Sequence, residues 1–317
     1  MRKFIGKMLL AFVPFMLYLL LFLLFEPHNY FGIKPERTGA WSQPLATARE
    51  FMRNPSTNII LGDSRWYRLD LDQIEDLTGD RYAMLATGGQ GINLSRELYD
   101  WVQKIQATDK LVIGASFFQM HSTNNSPSAG PVLYIAEHPL DYLVTRDYCI
   151  DAFVSLQQYV NNCKQGDFSL LSVWKPQENV KPATPEILEE YVNTIILPTV
   201  KQYQVGQTQI DDICYMVEDV QRRGGNSLVV YPPVHTSIWD LAIEPMDIEP
   251  QFEVYKVPIA NKTLCYDFEW RNSFSEQNHW YADGFHFRLD NALEQFTYAV
   301  FTGESDSLKI LGPTNAP

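Results

Sequence analysis

The stretch Asn58-Ile59-Ile60-Leu61-Gly62-Asp63-Ser64 decides the fold that we expect for this chain. Its consecutive β-prone apolar residues are bounded by turn formers, which is typical of a buried strand in a parallel sheet. Gly62 allows a sharp exit from that strand and places Ser64 just beyond its carboxyl end. Because ligands bind at this edge of open α/β sheets, Ser64 is a candidate nucleophile if a base can reach it. The alternative is that Asp63 or Ser64 only caps the next helix.

Strand and helix patterns alternate around this stretch, mostly on its carboxyl side. Apolar runs predict further strands at 82–86, 111–117, 227–231 and 263–267, and amphipathic or capped segments predict helices at 45–54, 70–77, 92–105, 209–223, 247–260 and 289–301. Such alternation predicts an α/β fold with a central parallel sheet and crossover helices, that is, a flavodoxin-like three-layer sandwich. We place this domain at residues 56–302, with a juxtamembrane linker and lead-in helix at 26–55 and a loose polar tail at 303–317.

Residues 119–206 interrupt the alternation. A polar segment rich in Pro, Gly and Ser is followed by two segments with helical character. We interpret this block as a helical insertion over the sheet, either a lid or partner surface or simply structural packing.

The N-terminal segment has the character of a membrane anchor. Arg2, Lys3 and Lys7 precede Met8–Phe25, a run of 18 residues without a charge. A helix of that length is about 27 Å long, close to the thickness of the hydrocarbon core of a bilayer. The rival interpretation is a cleaved signal peptide, but no small-x-small cleavage site follows the apolar run. The flanking cations predict a single-pass anchor at residues 1–25, with residues 26–317 extracellular or periplasmic.

Composition excludes some function classes. A net charge of −13 over 317 residues leaves no basic stripe for nucleic acid. The four cysteines allow three disulfide pairings in an oxidising compartment or four free thiols. A pair between Cys149 and Cys163 is excluded if both lie on one straight helix, since their separation would then be about 21 Å. The ligand spacing of a metal site is absent from the sequence, and we expect neither a metal nor a cofactor.

A second motif, Asp283-Gly284-Phe285-His286, gives Ser64 a candidate base. Serine needs a base to act as a nucleophile at neutral pH, and histidine has a suitable pKa. In a turn, a carboxylate three residues before the imidazole can hold one ring N–H and leave the other nitrogen for the serine. The predicted catalytic residues are therefore Ser64, Asp283 and His286.

These motifs resemble the SGNH (GDSL-type) hydrolase superfamily: Gly62-Asp63-Ser64 after a strand, a glycine-bearing turn at Thr87–Gly91, and a C-terminal Asp-x-x-His. The resemblance spans roughly residues 56–302. Together with the predicted anchor, it is strongest for the envelope-modifying branch, which includes the D-alanyl-transfer protein of teichoic-acid modification and the alginate O-acetylation proteins. The resemblance implies Ser64 as nucleophile, His286 as base, Asp283 as its orienting residue, and the backbone N–H groups of Ser64 and Gly88 or Gly89 as oxyanion donors.

One block departs from the family. The hydrolases carry Gly-x-Asn-Asp after the third strand, where the Asn is an oxyanion donor, but this chain reads Gly114-Ala115-Ser116-Phe117. Ser116 is then a candidate donor and Gln119 a candidate substrate contact. Arg65 and His235 are further candidate substrate-binding residues, although a solvated surface charge and a structural loop histidine are their ordinary interpretations.

The sequence thus predicts a membrane-anchored extracytoplasmic serine esterase or O-acyltransferase that modifies a cell-envelope polysaccharide or teichoic-acid-like polymer through an acyl-serine. The resemblance implies a multi-spanning membrane O-acyltransferase as partner. The altered stretch after the third strand supports an alternative, a non-catalytic binding or assembly subunit with the same fold. A plain extracellular esterase or lipase that needs no partner is a third hypothesis.

Overall fold

The computed structural model describes residues 2–34, 43–170, 173, 181–288 and 291–313, and for residues 2–11 the backbone alone. The chain divides into two compact units. The helical unit comprises Met1–Arg53 and Gly130–Gln177, and the sheet unit comprises Asn54–Ala129 and Glu178–Pro317.

A six-stranded sheet with the order β2-β1-β3-β4-β5-β6 forms the centre of the sheet unit. Its strands are β1 Asn58–Leu61, β2 Tyr82–Met84, β3 Lys110–Gly114, β4 Asn226–Tyr231, β5 Leu264–Asp267 and β6 Lys309–Leu311. The first five strands are parallel, and β6 runs antiparallel to β5. The predicted α/β class with a mostly parallel central sheet is therefore confirmed.

The principal helices are α1 Arg2–Phe25, α2 Pro44–Arg53, α3 Leu71–Thr78, α4 Ile92–Ile105, α5 Gly130–Glu137, α6 Pro139–Val144, α7 Arg146–Lys164, α8 Pro185–Tyr191, α9 Gln207–Arg222, α10 Phe252–Ala260 and α11 Asn291–Thr302. Helix α8 continues as a π-helical segment, Val192–Ile196, and a last turn, Leu197–Val200. Helix α3 shows why such short segments form. Its N-cap Asp70 accepts a hydrogen bond from the N–H of Asp72, and Gly79 ends it in the left-handed region with φ 71°.

Helices cover both faces of the sheet. On one face, α3 packs against α11, and both share a core with Ile60, Val112 and Val230. The alternate strand residues, such as Ile59 and Val229, are equally buried. Since side chains alternate along a strand, α9, which packs onto β3 and β4, lies on the opposite face, and α4 packs against α9.

Two predicted segments differ from the structure. The predicted insertion is divided, because residues 130–177 cluster with the N-terminal segment and residues 181–206 belong to the sheet unit. The predicted loose tail contains β6, whose pairing with β5 orders residues 309–311 at the sheet edge. Residues 314–317 of that tail, residues 35–42 of the predicted linker, and residues 171–172 and 174–180 of the insertion lie outside the described residues.

The N-terminal helix α1 belongs to the helical unit. Among the described residues, no helix is long and apolar enough to span a membrane. Side chains 1–11, which include part of the predicted anchor, are outside the described set, and the anchor stays a prediction. Cys149 and Cys163 both lie on α7, and all four cysteines are free thiols.

Candidate active site

Ser64 lies in a tight turn directly after β1. Within this turn the N–H of Trp66 donates to the carbonyl of Asp63 at 3.0 Å. The indole of Trp66 crosses two glycines: a Cβ on Gly62 would stand 2.5 Å from its Cδ1, and a Cβ on Gly114 would overlap its Nε1. Both glycines are therefore required by the close approach of one side chain, which fixes the ends of β1 and β3 next to Ser64.

The turn that carries His286 is held by its own carboxylate. Oδ1 of Asp283 accepts hydrogen bonds from the N–H groups of Phe285 and His286, at 2.7 and 2.8 Å. The N–H of Ala282 donates to the carbonyl of His286 at 2.9 Å and closes the turn. Asp283 thus shapes the backbone with one oxygen and keeps the other for the imidazole.

The structure brings Ser64, His286 and Asp283 into contact. Ser64 Oγ lies 2.6 Å from His286 Nε2, and His286 Nδ1 lies 2.8 Å from Asp283 Oδ2. Burial raises the pKa of Asp283, but its hydrogen bond and charge interaction with His286 and its two backbone donors outweigh burial and hold the pKa below the usual value. The ionised carboxylate fixes the tautomer in which Nε2 can take the serine proton.

Arg65 is a buried structural partner rather than a surface contact. Its side chain is 3% exposed, and it binds Asp63 through Nε–Oδ1 at 3.0 Å and Nη2–Oδ2 at 2.6 Å. Burial raises the pKa of Asp63, but the Arg65 guanidinium outweighs it, and the net pKa is lowered. The guanidinium also lies 4.3 Å from the centre of the Phe285 ring, which precedes His286. The structure does not place Arg65 in the exposed position that substrate binding requires.

Ser116 and Gln119 are also buried and are bonded to each other. Ser116 Oγ accepts a hydrogen bond from Arg65 Nη2 at 2.7 Å and donates to Gln119 Oε1 at 3.3 Å. Gln119 Nε2 donates to the carbonyl of Gln90 at 2.8 Å. Because the single proton of Ser116 is used inside the protein, its hydroxyl is not free to donate to an oxyanion. Gln119, 1% exposed, does not reach the surface that a substrate contacts.

The turn with Gly88 and Gly89 lies beside Ser64. The N–H of Thr87 donates to the carbonyl of Gly62 at 3.1 Å, which joins this turn to the serine turn. Both glycines are exposed. Within the described chain, the N–H groups of Ser64 and Gly88 donate to no protein acceptor. They are available as oxyanion donors, as the resemblance implies.

His235 is hydrogen-bonded to the turn that carries His286. It is 3% exposed, and its N–H donates to the carbonyl of Gly284 at 3.0 Å. Nδ1 accepts from the N–H of Ser237 at 3.0 Å and caps a short helix, so Nε2 donates to Asn278 Oδ1 at 2.7 Å. Burial lowers the pKa of His235. The structure places it in a buried structural role, not among residues that contact a substrate.

Tyr191, at the end of α8, was missed by sequence reasoning. Its ring centre lies 6.4 Å from that of Phe285. Burial, followed by the charge of Asp283, raises the pKa of its phenol, with Arg65 acting in the opposite direction. The residues just before α8 are hydrogen-bonded to the loop that leads to His286, since the N–H of Ala183 donates to the carbonyl of Tyr281 at 2.9 Å. The only sequence signal was the placement of these residues in a block that interrupts the α/β pattern.

Comparison with known proteins assigns no family: no protein-family model matches the chain, and no curated protein is similar to it.

Proposed function

We propose that this protein is an SGNH-type serine esterase or O-acyltransferase, anchored in a membrane and acting outside the cytoplasm on acyl esters of a cell-envelope polymer. The observation that carries the proposal is the continuous hydrogen-bond chain from Ser64 through His286 to Asp283. The sheet order β2-β1-β3-β4-β5 supports it, since this is the flavodoxin-like order, in which ligands bind at the carboxyl ends of the strands.

In the proposed reaction, Ser64 Oγ attacks the carbonyl carbon of the acyl donor as His286 Nε2 takes the serine proton. The N–H groups of Ser64 and Gly88 stabilise the tetrahedral oxyanion. His286 then gives the proton to the leaving alkoxide, and an acyl-serine remains. An acceptor hydroxyl, from a sugar or from water, loses its proton to His286 and attacks the acyl carbon, and the proton returns to Ser64.

The anchoring part of the proposal comes from the sequence. Met8–Phe25 follows three cations, which supports a catalytic domain on the outer side of a membrane. An anchored domain stands close to membrane-borne acyl donors, and we therefore prefer transfer to a polymer over hydrolysis. A multi-spanning membrane O-acyltransferase is the partner that fits this scheme. Neither a metal nor a cofactor takes part in it.

The test is intact-mass analysis of the detergent-solubilised full chain after incubation with an activated acetyl ester. We expect the mass of one acetyl group to be added to the wild type and not to Ser64→Ala. A folded wild type that gains no mass with several small acyl donors would contradict an autonomous acyl-serine mechanism.

A second function is favoured by one specific observation. The hydroxyl of Ser116 donates its proton to Gln119, and the segment Gly114-Ala115-Ser116-Phe117 therefore contributes no side-chain donor to the site. A non-catalytic assembly subunit would tolerate that loss. It predicts binding of envelope glycan by both the wild type and Ser64→Ala, with no labelling of Ser64 by a fluorophosphonate.

A further inference from the structure

The last turn of α1 is covered by protein. The Phe22 ring lies 5.3 Å from that of Tyr142, and the Phe25 ring 5.4 Å from that of Tyr159. Further up, the hydroxyl of Tyr18 contacts Cys149 Sγ at 3.3 Å and donates to the carbonyl of Leu143. The junction of α6 and α7 therefore lies beside α1 at Tyr18, roughly 10 Å before the end of the helix at 1.5 Å per residue.

From Phe12 to Leu21, α1 exposes apolar side chains. The side chains that are 37–60% exposed are those of Phe12, Val13, Phe15, Met16, Leu17, Leu20 and Leu21. Exposed contiguous apolar surface of this kind marks an interaction site. Whichever medium surrounds this part of α1 also reaches the α6–α7 junction, since the two are in contact at Tyr18.

Helices α6 and α7 carry an apolar surface of their own beside that contact. Leu140 and Val144 on α6 are 77% and 76% exposed. On α7, Ile150, Phe153 and Val154 are 45%, 65% and 54% exposed, and their i, i+3, i+4 spacing places them on one side of the helix. The opposite side of α7 faces the protein through the buried Ala152. These five exposed side chains, which we call the apolar stripe, have no packing partner within the described helical unit.

The acidic residue that directly follows α1 is paired inside the protein. Glu26 directly follows α1 and is fully buried, where it binds Lys34 Nζ at 2.9 Å and accepts a hydrogen bond from Tyr142 OH at 2.8 Å. Exposed charges of both signs lie near the ends of α7, namely Arg146 and Asp147 at its start and Lys164 at its end. Exposed apolar residues along one side of a helix, with its charges elsewhere, are the pattern of a helix that lies in the lipid interface.

We propose that α6 and α7 enter the lipid interface beside α1 and form a second membrane-binding element of the helical unit. We assign lipid, rather than a protein partner, as the surroundings of the apolar residues of α6 and α7. The reason is that the α6–α7 junction contacts α1 at Tyr18, and α1 is the segment predicted to enter a bilayer. The inference rests on the anchoring part of the proposed function. It extends that part, since a single-pass anchor alone requires no lipid contact at residues 139–160.

The experiment is photolabelling of the wild-type full chain in phosphatidylethanolamine–phosphatidylglycerol liposomes that contain a diazirine phospholipid, with adducts mapped on peptides. We expect adducts on residues 12–21 and on α6–α7, above all at Leu140, Val144 and Phe153. Val254 and Val257 on α10, 53% and 48% exposed, are the apolar reference positions and should remain unlabelled.

The outcomes distinguish the predicted anchor from the proposed lipid contact of α6 and α7. Adducts on residues 12–21 but none on α6–α7 would overturn this inference, leave the anchor intact and indicate a protein partner for the stripe. Adducts on neither segment would overturn the anchor and this inference together, while acylation of Ser64 would still test the enzyme. In Val144→Lys/Phe153→Lys, we expect at least tenfold fewer adducts on α6–α7 and unchanged labelling of residues 12–21. Retained labelling on α6–α7 would also contradict the inference.

Discussion

Arg65 and Asp63, the two neighbours of Ser64 in the chain, form a buried bidentate ion pair. The guanidinium meets the carboxylate through contacts of 3.0 and 2.6 Å and extends to Ser116 at 2.7 Å. Arg65 therefore links the serine turn to the loop after β3. The loop Gly114-Ala115-Ser116-Phe117 therefore holds this ion pair in place through Ser116.

Removal of Arg65 should destabilise the protein in a pH-dependent way. In the wild type the pKa of Asp63 is lowered, so its contribution to stability is present above about pH 4 and is lost as the pH falls further. In Arg65→Gln, burial, the largest cause, is opposed only by the backbone N–H of residue 65 and the charge of His286. We therefore expect the pKa of Asp63 to rise and the sign to reverse, so that stability falls as the pH rises. We expect a loss of about 3–5 kcal/mol at neutral pH from urea unfolding.

The matched control for this prediction is Asp63→Asn/Arg65→Gln. It leaves no unpaired charge and should recover most of the stability and lose the pH dependence. Equal stability of Arg65→Gln and the wild type at neutral pH would contradict the importance of the ion pair.

Asp283→Asn should lower kcat/KM for a small acetyl ester by roughly 10³–10⁴-fold. An amide at Oδ2 can present its N–H to His286 Nδ1, which would favour the tautomer with a proton on Nε2 and block proton transfer from Ser64. Asp306→Asn, at an exposed aspartate, is the control and should change the rate less than about twofold. An Asp283→Asn enzyme with more than a tenth of wild-type activity would show that the carboxylate does not orient the base.

Gly88 offers a test of the oxyanion donors. A Cβ at Gly88 would meet no atom within 4 Å, so Gly88→Ala should retain wild-type activity. Gly88→Pro removes the N–H group, and its ring also fixes φ and restricts Thr87. It should lower kcat by about 10²–10³-fold, the cost of one oxyanion donor. Circular dichroism would establish that both variants fold. Equal rates for the two variants would exclude this N–H as a donor.

His235 should make stability depend on pH through burial. Its pKa is lowered from 6.5, so its contribution is complete above about pH 6.5 and is lost as the pH falls toward the lower folded-state pKa. His235→Asn keeps a helix-capping acceptor but cannot titrate. Between about pH 7.5 and 5.5, unfolding in urea should show a smaller loss of stability for this variant than for the wild type.

The control is His138→Asn, since His138 also precedes a helix but is exposed. If the wild type and His235→Asn lose the same stability over this range, His235 does not contribute to the pH dependence.

The contact among Ser64, His286 and Asp283 could be predicted from the sequence because each residue belongs to a local pattern. A short apolar run before Gly62 predicts the strand, and Asp283 and His286 belong to one turn, so their spacing alone predicts their contact. Burial of Arg65 could not be predicted in the same way. It depends on Phe285 and Ser116, which are distant in the chain, and an arginine next to a turn is ordinarily solvated. The buried positions of Ser116 and His235 could not be predicted for the same reason, since their hydrogen-bond partners are set by tertiary packing.

Other parts of the fold have weak sequence signals. Strand β6 has three residues and includes Lys309, so its pairing with β5 is decided by the open sheet edge rather than by propensity. Tyr191 reaches the site from a segment whose hydrophobic pattern predicts only a helix. The π-helical segment after it is a local departure that periodicity does not reveal.

That π-helical segment changes the direction in which the residues before it face relative to the residues after it. Compared with an uninterrupted α-helix, the extra residue in Val192–Ile196 turns the residues before it by about 100° relative to those after it. This turn lets Leu188 before the segment and Val200 after it both face the protein interior. The length of the segment is therefore constrained as strictly as its composition. Loss of one residue would turn Tyr191 away from Phe285 while every remaining side chain stayed chemically unchanged.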